Sequence, residues 1–240
     1  MGAADKGVSG TVRPQGSHVW YRLRQGRLSE VYYPDLSTPN LRTLELVITD
    51  GRTFTDRESE DTWDRTFHPD AGSRAYTQVN MAKSGKYRIT KRFVADPHRD
   101  AVEMRVLLES LDGRRLTLFA LYDPALHSTA TNDRGRSVGH TLVATDGASG
   151  LSSALRSRPA FGSMATGYLG SSDGWPDLKR DHRLDHEQEA ARPGDIVQVA
   201  RIAGVNGRPG HQVATLTLAF GMNAGKARRT AAAAAASWPR

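Results

Sequence analysis

Val102-Glu103-Met104-Arg105-Val106-Leu107-Leu108-Glu109-Ser110-Leu111-Asp112-Gly113 alternates apolar with charged residues at a period of two and then stops on a turn dipeptide. Val102, Met104, Val106 and Leu108 fall on one side and Glu103, Arg105 and Glu109 on the other, the pattern of a strand buried on one face. Asp112-Gly113 tolerates the left-handed backbone of a tight turn, and residues 116–122 follow as a second apolar run. The two runs therefore read as a hairpin.

The same pattern extends in both directions. Residues 18–25 are aromatic and β-rich and stop at Gly26, and Leu41–Thr49 runs into Asp50-Gly51 before residues 52–55. Tyr76–Ala82 and residues 86–95 flank Ser84-Gly85, with Tyr87, Ile89 and Phe93 on one face and Lys91 breaking it. Residues 140–144 end at Asp146-Gly147, 151–156 precede Pro159, and Ile196–Ile202 ends at Gly204. In residues 212–220, Ala214, Leu216, Leu218 and Phe220 share one side. Turn signals at short, even spacing, with no helical-period segment between them, predict an all-β antiparallel sandwich or barrel.

Composition sets the bounds. A chain of 240 residues fits one large all-β domain or two small ones, and it buries most of its apolar surface without staples. Cysteine is absent, so neither disulfides nor a thiolate zinc site forms, and the redox compartment is left open. No apolar run approaches the ~20 residues that cross a bilayer, and residues 1–10 lack a hydrophobic signal core. The net charge is +7, yet the arginines are spread singly and interleaved with acids, as in Asp56-Arg57-Glu58, Arg99-Asp100 and Arg180-Asp181. That dispersion reads as a solvated surface and argues against nucleic-acid binding.

Only the C-terminal stretch changes character. Lys226-Ala227-Arg228-Arg229-Thr230 and alanines 231–236 have high helix propensity but no apolar stripe for docking, which predicts a departing helix or linker. Trp238 near the end reads either as an aromatic awaiting a surface to pack on or as part of a frayed tail.

Searching for chemistry gives mostly exclusions. There is no glycine loop followed by Lys-Ser/Thr, no Gly-x-Ser-x-Gly and no His-Glu-x-x-His. His182 and His186 have helix-like spacing, but neither a third ligand nor a second shell accompanies them, and a solvated charged loop is the simpler reading. Glu30, Asp123, Asp133 and Asp173 sit at turn signals, where caps and Asx-turns account for them with ordinary pKa values. Gly167-Tyr168-Leu169-Gly170-Ser171-Ser172-Asp173-Gly174-Trp175-Pro176-Asp177-Leu178 is an ordered loop, its glycines and proline excluding regular structure. Trp175 within it is either a plug capping the core or a stacking platform for a sugar ring or partner domain.

Several of these motifs together carry a resemblance. Ser29-Glu30-Val31-Tyr32-Tyr33-Pro34, Pro39-Asn40-Leu41-Arg42, Thr49-Asp50-Gly51, Tyr122-Asp123-Pro124-Ala125-Leu126, Asn132-Asp133, the 167–178 loop and Leu218-Ala219-Phe220-Gly221 resemble, in the same order, the N-terminal domain of prokaryotic glucoamylases and glucodextranases of glycoside hydrolase family 15. The resemblance implies a large antiparallel β-sandwich of the galactose-mutarotase-like type, a super-sandwich, joined by a linker to an (α/α)6 barrel that hydrolyses α-glucosidic bonds and holds both catalytic carboxylates. On that basis residues 1–10 are expected to be a disordered segment, 11–222 the sandwich and 223–240 the linker towards the barrel. Family members are often secreted, but without an export signal here the extracellular and cytoplasmic readings both stay open.

The function expected of the chain is that of a non-catalytic accessory domain, without cofactor or metal, whose partners are the barrel and α-glucan, with no nucleic acid and no membrane. The alternative is a self-sufficient carbohydrate-binding module, which would show a row of aromatics on one sheet face, whereas the sequence concentrates them at loops. A sugar epimerase would rest on fold analogy alone. Glu30, Tyr32, Tyr33, Asp123, Asn132, Asp173, Trp175 and Asp177 are the binding or domain-interface candidates. The segments 30–34 and 167–178 are expected to converge on one end of the sandwich.

Overall fold

The structure of the protein, a computed structural model, describes residues 9–10, 16–68, 75–204 and 210–237. In chain order the strands are β1 (Ser9–Gly10), β2 (Trp20–Arg24), β3 (Arg27–Tyr32), β4 (Leu41–Thr49) and β5 (Thr55–Arg57). One helical turn, α1 (Glu58–Asp61), leads to β6 (Thr62–Phe67), β7 (Tyr76–Ala82), β8 (Tyr87–Ala95), β9 (Ala101–Ser110) and β10 (Thr117–Pro124). After a 3-10 turn at Leu126–Ser128 come β11 (Asp133–Ser137), β12 (Thr141–Asp146), β13 (Ser152–Arg158) and β14 (Phe161–Tyr168). Helix α2 (Trp175–Asp181) precedes β15 (Ala190–Gly194), β16 (Ile196–Ile202) and β17 (His211–Gly221), and α3 (Ala224–Ser237) closes the described chain.

These strands build two antiparallel sheets. The first runs β1-β2-β3-β4-β10-β16-β14 with β5 beside β4, and the second runs β15-β11-β12-β13-β17-β9-β8-β7-β6. Leu44, Leu46 and Ile48 of β4 and Leu118, Ala120 and Tyr122 of β10 face Phe93, Met104, Val106, Leu216 and Leu218 of the second sheet in one core. Period-two alternation puts those residues inward, where the two sheets shield each other's inner faces from water.

Two further apolar clusters lie on the outer faces. Val47, Phe119, Leu121, Val197 and Val199 project away from the core and are covered by Leu178 of α2, with Trp175 and Leu184 beside it. This explains why the central strands of the first sheet read as nearly continuous apolar runs. On the other side, Ala227, Ala231 and Ala234 of α3 lie on Ala101, Ala154 and Ala219 of β9, β13 and β17.

Three expectations are corrected. The runs on either side of Asp112-Gly113 do not form a hairpin: β9 pairs with β8 and β17, β10 pairs with β4 and β16, and the turn carries the chain from one sheet to the other. Alternation reveals which side of a strand is buried but not which strand lies next to it. The alanine segment is helical, but it is docked rather than departing, because alanine methyls suffice as an apolar stripe when the sheet beneath them is also alanine. Ser9 and Gly10 pair with Tyr21 and Trp20, so order reaches into the segment expected to be disordered. Residues 1–8 and Trp238 lie outside the described residues. Strands β3, β6, β11, β14 and β15 are additions to the sequence reading, most of them short, polar or glycine-bearing.

Candidate functional site

Strand register brings the recognisable motifs to one end of the first sheet. Tyr32 bridges Pro39, Leu41 of β4 opposes Pro124 of β10, and Tyr168 of β14 opposes Ile196 of β16. The 30–34 segment and the start of the 167–178 loop therefore share an end, four strand spacings or about 19 Å apart.

Arg42 is the hub of that end. Its Nε and Nη2 donate to Asp123 Oδ1 at 2.9 and 2.6 Å, Nη1 donates to Asp195 Oδ2 at 3.0 Å, and Nη2 also reaches Asp195 Oδ1. One guanidinium thus ties β4, β10 and the residue preceding β16, a fork geometry that lysine lacks. Below it, Asn40 is fully buried and donates Nδ2 to the carbonyls of Tyr33 and Thr38 at 2.7 and 2.8 Å. Its Oδ1 accepts the His127 N–H at 3.0 Å, and Asp133 Oδ2 accepts the Leu126 N–H at 3.0 Å. The left-handed backbone at His127, Ser128 and Ala130 is held by this network.

Asp123 and Asp133 are buried strand residues, not solvated turn acids with ordinary pKa values, and this corrects the sequence reading. Burial pushes the Asp123 carboxyl up to about 6 against the pull of Arg42, and the negative charges of Asp195 and Asp173 raise it further. Burial likewise lifts Asp133 to about 6. Two more carboxylates passed unnoticed in the sequence. Glu58, driven up to about 7 by burial, contacts Lys91 at 2.6 Å with both side chains inside the fold, and Glu103 is raised to about 7 by burial and by Asp96. The one signal for the first was Lys91, the charge in the middle of an otherwise apolar face.

The other candidates have separate settings. Glu30 accepts from Arg22 at 3.1 Å and from the Tyr32 hydroxyl, so those residues form a half-buried surface triad. Tyr33 stacks on Phe220 with ring centroids 5.5 Å apart and belongs to the core. Asn132 is exposed, its carbonyl accepting the Gly147 N–H at 3.0 Å. Asp173 is buried and accepts the Gly170 and Trp175 N–H groups at 2.7 and 3.0 Å, an Asx-type closure of the loop. Gly167 permits that closure, since a Cβ there would lie 1.7 Å from the Ser172 carbonyl oxygen.

The loop then turns back over the outer face of the sheet. Trp175 opens α2 and lies half-buried against the Val47 and Phe119 cluster, with the Arg57 guanidinium 4.9 Å above its ring. Asp177 accepts the His186 N–H and Nδ1 at 3.0 and 2.9 Å and Arg180 at 3.1 Å. Burial alone would raise its pKa, but these donors hold it below the usual carboxylate range. His182 ends α2 in a left-handed conformation and bonds Thr55, so His182 and His186 do not share a helical face.

What this end offers is a fixed, charge-paired frame rimmed by exposed apolar groups. Leu36 and Leu169 are 53% and 51% exposed, and Tyr168, which directly precedes Leu169, is exposed as well. Asp123 and Asp195 are both committed to Arg42, so neither is free to serve as an acid or base.

Comparisons with known proteins bear on this arrangement. A family model described as glucodextranase, domain N, matches residues 2–238. A glucoamylase from Clostridium sp. (strain G0005) is 30% identical over 206 residues, which make up 83% of this chain and 29% of that protein. A crystal structure of bacterial glucoamylase complexed with acarbose aligns with a TM-score of 0.85 at 25% identity, covering 99% of this chain and 36% of the other. The chain thus spans about a third of the length of the relatives it matches.

Proposed function

This chain belongs to the glucodextranase domain N family, and we propose that it is the non-catalytic accessory domain of an α-glucosidase, packing on an (α/α)6 barrel that cleaves α-1,4 or α-1,6 glucosidic bonds. The observation that carries this reading is the coverage: nearly all of this chain corresponds to about a third of a glucoamylase, so most of such an enzyme lies outside it. The surface proposed to meet the barrel is the motif-bearing end, where Leu36, Tyr168 and Leu169 are exposed around the Arg42 clamp. An apolar rim over a preformed frame favours docking because little side-chain order has to be created on association.

Inverting glycosidases hold one carboxylic acid and one carboxylate about 6.5–9.5 Å apart across the scissile bond. Here Asp123 and Asp195 are paired to one arginine, and Glu58 is sealed against Lys91. The isolated chain is therefore expected to release no glucose from maltooligosaccharides or isomaltooligosaccharides under conditions where a full-length family enzyme does. Turnover that survives repurification and disappears in Asp123→Asn would overturn the accessory reading.

A further inference from the structure

Among the described residues, α3 covers the outer face of the second sheet around Ala101, Ala154 and Ala219, while towards β6 Trp63, Phe67 and Arg92 are exposed. Register aligns this face into rows across the strands. Phe67, Thr77, Arg92, Arg105, Thr215 and Arg158 stand opposite one another in turn on β6, β7, β8, β9, β17 and β13. Arg92, Arg105 and Arg158 are exposed, and none forms an ion pair with a described residue.

Arg92 and Arg105 are direct cross-strand neighbours, about 5 Å apart at the backbone, and Arg158 lies two strands beyond. Like charges placed opposite each other destabilise a sheet, and an anion laid between them removes that penalty. The acids of this face do not neutralise the row: Glu109 is engaged by Arg88 and His211, and Glu103 is buried.

Beside the row the edge strand carries Trp63, 64% exposed, on the same face as Arg65 and Phe67. The Arg65 guanidinium sits 4.8 Å from the Phe67 ring centre, which leaves Trp63 as the free aromatic platform. Trp63 and Phe67 are four residues apart, about 13 Å along the strand, so a ligand touching both the indole and the arginine row must be a polymer. Single-stranded nucleic acid draws on an aromatic platform for successive bases, whereas a sugar chain anchored by charge needs only one.

We propose that this face binds an anionic polysaccharide, with one pyranose ring stacked on Trp63 and the carboxylate or phosphate groups of the chain on Arg92, Arg105 and Arg158. This surface lies apart from the Arg42 end and does not depend on the accessory role. Affinity electrophoresis of the 240-residue chain in gels containing polygalacturonate, pullulan or oligo-deoxythymidine tests it. Retardation is expected in polygalacturonate alone, weakening as salt rises, and falling about tenfold in Trp63→Ala and in the Arg92→Gln/Arg105→Gln double variant. All three positions are exposed, so unchanged thermal unfolding of the variants checks that the fold is intact. Equal retardation by pullulan, retardation by oligo-deoxythymidine, or no retardation in any gel would each overturn the proposal.

Discussion

Lys91 and Glu58 show at the residue scale how a charge is kept inside a sandwich. Lys91 Nζ lies 2.6 Å from Glu58 Oε1 and also reaches the Gly26 carbonyl, while Glu58 Oε2 accepts the Leu46 N–H at 2.8 Å. Removing one partner strands the other, and such losses cost about 3–5 kcal/mol when the remaining charge cannot be neutralised. Glu58 can be neutralised, because burial already drives its pKa to about 7. Lys91→Met is therefore expected to cost about 3 kcal/mol at pH 8 and distinctly less at pH 5, with Glu58→Gln/Lys91→Met recovering most of the loss; urea denaturation at both values measures this. Glu103 tests the same physics without a buried cation. Its folded pKa of about 7 exceeds that of the unfolded chain, so the folded state binds its proton more tightly and this contribution is lost as pH rises from about 4.5 through 7. The wild type should lose about 1 kcal/mol or more over that window relative to Glu103→Gln, and parallel slopes for the two proteins would contradict the assignment.

At the scale of elements, the two helices are parts of the sandwich rather than appendages. The buried residues of α3, Ala227, Thr230, Ala231 and Ala234, recur at helical spacing and meet alanines on three strands. With methyl against methyl there is no room for a larger side chain, so Ala231→Leu is expected to destabilise the chain by about 1–3 kcal/mol. Ala233→Leu, on the exposed side, should be nearly neutral, and equal effects at the two positions would show that the helix is not docked. On the other sheet, Trp175 packs within the chain's own cluster under Arg57. Trp175→Ala is thus expected to cost about 2 kcal/mol of this chain's own stability, read by denaturant unfolding.

At the scale of the whole molecule, the proposed barrel contact predicts coupling. In a full-length family enzyme, Leu36→Glu/Leu169→Glu at the matching surface should separate the unfolding of the two domains in calorimetry, while the isolated chain melts unchanged. A single unshifted transition in the full-length variant would move the contact elsewhere. The sequence by itself determined the fold class and the family, because period-two alternation and Asp-Gly turns are local signals and because the resemblance rests on contiguous motifs such as 29–34 and 167–178. Local signals also placed Leu41–Thr49, Tyr76–Ala82 and Ile196–Ile202 to the residue. Pairing across the sandwich was beyond their reach: β9 and β10 look like hairpin partners until the two sheets separate them. The Arg42 clamp, whose partners lie 81 and 153 positions away, and the raised pKa values of Asp123 and Glu58 exist only once the strands are brought together. The arginine row is the same case. Arg92, Arg105 and Arg158 are scattered along the chain, and register alone makes them neighbours, since a strand's lateral contacts are set by long-range hydrogen bonding that leaves no short-range trace in sequence.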